Sequence, residues 1–139
     1  LPDLPQGRET ILLVEDEEAV RGLVRLVLQA GGYTVLEAEH GRQAIALATA
    51  HPGPIHLLIT DLVMPQMSGR QLAEQISALR PAIHLLFMSG YTEEAVAHHQ
   101  VRELNIAFLQ KPFDPRHLAH KVRELLDRPG TLAARSEKR

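Results

Sequence analysis

Residues 55–69 read IHLLITDLVMPQMSG. The apolar run from Ile55 to Ile59 has the length of a strand. It ends at one carboxylate, Asp61, before a loop marked by Pro65 and Gly69. Desolvating a charge is costly, so an acid at the end of a buried strand needs a partner or a job.

Four more strand-length runs flank this one: ILLV (11–14), YTVLEA (33–38), HLLFM (84–88) and IAFL (106–109). The segments between them follow a helical period. Val20, Leu23, Val24, Val27 and Leu28 recur at helical spacing, with Arg21 and Arg25 on the other face. Ala44, Ile45, Leu47 and Ala48 form a weaker stripe. Leu72, Ile76 and Leu79 form another, as do Leu118, Val122, Leu125 and Leu126. Residues 92–104 are the least amphipathic helical candidate. Strand–helix alternation repeated five times predicts an α/β fold, a parallel five-stranded sheet with helices on both faces. The mixed second strand suits an edge.

The 139 residues suit one domain. Residues 1–9, with Pro2, Pro5 and Gly7, read as a linker or disordered N-terminus, and 128–139 as a polar C-terminal tail. A net charge of −2, with both signs mixed, leaves no electrostatic footprint for nucleic acid. No apolar run reaches the roughly 20 residues of a membrane span, so no membrane contact is expected. The absence of Cys removes disulfides and thiolate metal sites and fits a cytoplasmic setting.

The residues that follow the strands carry the chemistry. Glu15 and Asp16 follow the first, Asp61 the third, Ser89 and Gly90 the fourth, Lys111 and Pro112 the fifth. Open parallel sheets bind ligands at the carboxyl ends of their strands. Each residue alone has a plain explanation as a turn, a cap or a surface loop. Together they place carboxylates, a hydroxyl and an amine on one edge. Carboxylates of this kind suit Mg2+, with Mn2+ as an alternative. Asp61 can then attack phosphorus as a nucleophile, with Lys111 and Ser89 facing the transferred group. The eight histidines lack the spacing of a zinc site, and Met64, Met67 and Met88 read as packing residues.

The segments LLVEDE (12–17), TDLVMPQMSG (60–69), FMSGY (87–91) and FLQKPF (108–113) together resemble the receiver domain of two-component response regulators over residues 10–127. The resemblance implies a flavodoxin-like (βα)5 doubly wound sheet of order 2-1-3-4-5. It implies that Asp61 is the phosphoacceptor for a phosphohistidine. It implies Glu15, Asp16, Asp61 and the Val63 backbone carbonyl as metal ligands, Lys111 and Ser89 as phosphoryl partners, and Ser89 with Phe108 as the switch pair. Lys111–Pro112 would be a cis peptide. Glu15, Ser89 and Phe108 stand where Asp, Thr and Tyr are frequent in the family. Val63 and Tyr91 fall at positions that influence dephosphorylation. Val63 has no polar group to orient water, so a long-lived phosphorylated state is expected.

The expected partners are a histidine kinase, a histidine phosphotransfer protein, or both. They would meet the helix after the first strand and the loops near Asp61, and the domain would be a monomer or weak dimer. No DNA-binding output domain is expected after the fifth helix. The receiver of a hybrid sensor histidine kinase is the favoured origin, and a stand-alone regulator the alternative. Three other functions fit less well. A Mg2+-dependent phosphatase with an aspartyl nucleophile would want a second acid at Val63. A non-phosphorylated binding module would have lost an acid, the hydroxyl or the lysine. A flavin site would not place EDEE (15–18) where phosphate binds.

Overall fold

The computed structural model describes residues 4–90 and 107–128. In chain order these are β1 (Thr10–Val14), α1 (Glu18–Ala30), β2 (Thr34–Ala38), α2 (Gly41–Ala50), β3 (Leu57–Asp61), α3 (Gly69–Leu79), β4 (His84–Ser89), β5 (Ala107–Gln110) and a last described helix, α4 (Pro115–Leu126). The strands form one parallel sheet of order β2-β1-β3-β4-β5. This is the flavodoxin-like order expected, with the mixed strand β2 at an edge. The helix expected over 92–104, and Tyr91, lie outside the described residues.

Alternation along each strand divides the core in two. Leu12, Val14, Leu58 and Phe87 pack on one face with Ala44 and Ala48 of α2 and Leu72 and Ile76 of α3. Ile11, Leu13, Ile59 and Leu86 pack on the other with Val24 and Leu28 of α1 and Leu118 and Val122 of α4. The four β1 side chains Ile11 to Val14 are all fully buried, which is why that strand reads as an unbroken apolar run. Each such side chain contributes roughly 1.5–3 kcal/mol by leaving water.

Local chemistry sets the helix starts. Ser68 and Gln71 form a reciprocal capping box at α3. Asp114 caps α4, whose first residue is Pro115. At the amino-end of the sheet, residues 4–9 are held by side-chain and backbone bonds. The Gly7 N–H donates to the Gly31 carbonyl at 2.9 Å, and Arg123 of α4 donates to Glu9 at 2.6 and 3.1 Å. That bond holds the Glu9 carboxyl down at about 2. The site described next lies at the opposite end.

Candidate functional site

β1 delivers Glu15 to the carboxyl edge of the sheet. Its N–H donates to the Ala38 carbonyl at 3.1 Å, extending the β1–β2 ladder past the strand. Its side chain is fully buried. There Oε1 accepts from the Glu17 N–H at 3.2 Å and Oε2 accepts from Lys111 Nζ at 2.9 Å. Asp61 is the last residue of β3 and is 9% exposed, with Oδ2 accepting from the same Nζ at 3.2 Å. Asp16 is exposed beside them. Carboxylate oxygens of Glu15, Asp16 and Asp61 all lie within 4.8 Å of one another.

Ser89 closes β4 and is 2% exposed. Its carbonyl accepts the Lys111 N–H at 2.7 Å, which fixes the start of the β5–α4 loop. The following Lys111–Pro112 peptide is cis, as the resemblance implied. Phe108 is partly buried and packs on the α2–α3 side of the core. Val63 projects its side chain outward, 57% exposed. Thus Glu15, Asp16, Asp61 and Lys111 come together, and Ser89 joins Lys111 through its backbone carbonyl.

Burial pushes the Asp61 carboxyl above its ordinary range, and the Lys111 charge and hydrogen bond only partly counter it. Burial likewise raises Glu15 against the pull of Lys111. Burial works to lower Lys111, but the Glu15 bond and the Asp61 charge outweigh it and hold the amine above its usual value. One ammonium faces three carboxylates, so the cluster keeps surplus negative charge in a partly dry place. That is the donor set a hard divalent cation fits, and such an acidic cluster is typical of Mg2+-binding receiver domains.

One residue near the site was missed by reading the sequence. Helical spacing puts Arg21 on the face away from the apolar stripe, yet its side chain is 12% exposed and its Nη1 donates to the Glu15 carbonyl at 2.8 Å. A readable signal was present: Arg21 and Arg25 are one turn apart, and Glu37 and Glu39 stand two positions apart at the end of an edge strand.

The response regulator receiver domain family matches residues 11–123. The chain belongs to that family. This receiver domain is 42% identical over 123 residues to the sensor kinase CckA of Brucella abortus (strain 2308), a match covering 88% of the chain and 13% of the kinase. It is 31% identical over 116 residues to the response regulator receiver protein CpdR of the same organism, covering 84% of the chain and 95% of that protein. The crystal structure of the receiver domain from the hybrid histidine kinase CckA superposes with a TM-score of 0.72 at 36% identity, over 85% of this chain and 99% of that one. The acidic cluster is therefore a receiver phosphoacceptor site. The domain acts as a phosphorelay or switch module whose own chemistry is the gain and loss of that phosphoryl group. Membership of this family implies partnership with a histidine kinase or phosphotransfer protein. Among the described residues, no helix is long and apolar enough to cross a membrane.

Proposed function

We propose that Asp61 takes a phosphoryl group from the phosphohistidine of a kinase or a histidine phosphotransfer protein. The observation that carries this reading is Lys111 Nζ lying between Glu15 Oε2 and Asp61 Oδ2, at 2.9 and 3.2 Å. A carboxylate oxygen of Asp61 attacks phosphorus, the P–N bond breaks, and its electron pair leaves on the imidazole, which takes up a proton. Lys111 moves from the carboxylates toward the transferred oxygens, and the Ser89 hydroxyl donates to one of them. Phe108 turns inward as Ser89 moves. Glu15, Asp16, Asp61 and the Val63 carbonyl would hold Mg2+, or Mn2+ in its place. When bound, the ion neutralises the carboxylates and the charge that develops on phosphorus.

We place the domain at 10–127, a reading that the family match over 11–123 supports. The parent we favour is a hybrid histidine kinase, because identity to the CckA kinase exceeds identity to CpdR. The match to nearly all of CpdR keeps a stand-alone regulator as the second reading. Either would place the domain in the cytoplasm.

The test is intact mass after incubation with Mg2+ and a small-molecule phosphodonor, with Asp61→Asn alongside. Wild type should gain one phosphoryl mass and D61N none. After donor removal the adduct should persist for minutes or longer, since Val63 orients no water. Equal gain in D61N would place the phosphoryl group elsewhere, and decay within seconds would overturn the lifetime.

A further inference from the structure

The Glu15–Asp16 turn carries two of the three site carboxylates, and its backbone is gripped from both sides. The Glu15 N–H is taken by the Ala38 carbonyl at 3.1 Å. The Glu15 carbonyl is taken by Arg21 Nη1 at 2.8 Å. That carbonyl and the Asp16 N–H belong to one rigid peptide plane, so whatever holds the carbonyl also sets where Asp16 begins.

Arg21 is itself anchored. Its Nε lies 3.7 Å from Glu37 Oε1 and its Nη2 lies 3.7 Å from Glu39 Oε1. Glu37 is in β2 and Glu39 follows it, so the guanidinium ties the α1 side of the turn to the edge strand. The two glutamates also offset a positive charge that would otherwise oppose a cation or fold onto the site carboxylates. The planar fork of Arg reaches a carbonyl and two carboxylates at once, which the single ammonium of Lys cannot do. Arg25, one turn on, pairs with the same Glu37 at 3.0 Å. It supplies a built-in comparison.

We infer that Arg21 is a positioning residue of the phosphoacceptor site: anchored on Glu37 and Glu39, it clamps the Glu15–Asp16 peptide so that both carboxylates are presented to a divalent cation. The inference rests on the reading that the acidic cluster takes Mg2+. Loss of a partner outside the ligands themselves typically weakens metal binding roughly 10–100-fold.

The experiment is isothermal titration of Mg2+ into the full chain as wild type, Arg21→Met and Arg25→Met, with metal-free melting curves for each. Both variants lose a bond to Glu37, so both should melt lower, and R21M by more because it also loses the Glu15 carbonyl and Glu39. Only R21M should bind Mg2+ more weakly, by about tenfold or more. A Kd for R21M within about twofold of wild type overturns the inference, as does an equal loss in R25M, and both leave the metal reading standing. No binding by wild type overturns the metal reading and the inference with it. Should R21M fail to fold, Arg21→Lys is read against Arg25→Lys. A weaker Mg2+ affinity in R21K alone is expected, and equal affinities overturn the clamp.

Discussion

Asp61 and Glu15 show what a receiver asks of single residues. Burial raises both carboxyls above the ordinary range, so the folded chain keeps these protons to a higher pH than the unfolded chain does. The charged forms therefore oppose folding. Stability from this source is lost as pH rises from the ordinary carboxylate range through the raised folded value. Asp61→Asn removes one of these charges and leaves Lys111 its bond to Glu15. Metal-free D61N should accordingly melt above wild type at neutral pH, by roughly 2–5 °C. The gap should close below about pH 4, where both proteins carry a neutral group at this position. A lower melting point for D61N at neutral pH would mean that the Asp61–Lys111 pair stabilises the fold outright. The site would then not be the strained cluster of charge its burial indicates.

Among the elements, α3 is the one whose first residue touches the site. Gly69 opens the helix, and its N–H donates to the Leu62 carbonyl at 2.9 Å. A Cβ on Gly69 would overlap the Asp61 carbonyl oxygen and crowd the Leu62 Cα. Both are backbone, so neither can turn away. The missing side chain lets the helix start directly beneath the phosphoacceptor loop. Gly69→Ala should cost about 1–3 kcal/mol and slow phosphorylation of Asp61 tenfold or more, since small displacements of a reacting group are expensive. Gly22→Ala is the control. It sits within α1, where the nearest atom to a new Cβ is Arg25 Nη2 at 3.9 Å. There alanine should leave phosphorylation unchanged and favour the helix by about 0.5–1 kcal/mol. Denaturant melts and single-turnover phosphorylation of both variants decide the matter, and matching behaviour would remove the special role given to Gly69.

For the molecule as a whole, metal and fold should be linked. A ligand that binds only the folded chain stabilises it by mass action, by about 2.7 kcal/mol at a hundred times Kd. Mg2+ should therefore raise the melting temperature at neutral pH. The gain should fade as pH falls through the raised carboxyl values, because protons compete for the same oxygens. D61N should show little of it. An equal rise in D61N, or one indifferent to pH, would point to cation binding away from this cluster. The linkage has a structural basis in the sheet, because the three carboxylates are close only when β1 and β3 are paired in register, Val14 beside Thr60.

Runs such as ILLV and LLIT are legible one residue after another, because a strand covered on both faces must be apolar at every position. The mixed TVLEA of β2 was legible as an edge for the converse reason. The acidic cluster was legible too, through an acid, Asp61, in a place where only function or a partner excuses one. Pairings across the fold were not. Glu15 and Lys111 stand 96 positions apart, and nothing between them states that they meet at 2.9 Å. Arg21 looked like a solvated helix charge, because helical periodicity reports which face is polar and not what the neighbouring strand places against it. By itself, then, the sequence determined the elements of the described residues, the family and the chemistry gathered at one edge of the sheet, since these follow from local pattern. Only the tertiary structure decided which ammonium lies between which carboxylates and which guanidinium clamps their turn. Those are contacts between residues distant in the chain, and sheet register and helix packing alone bring them within bonding distance.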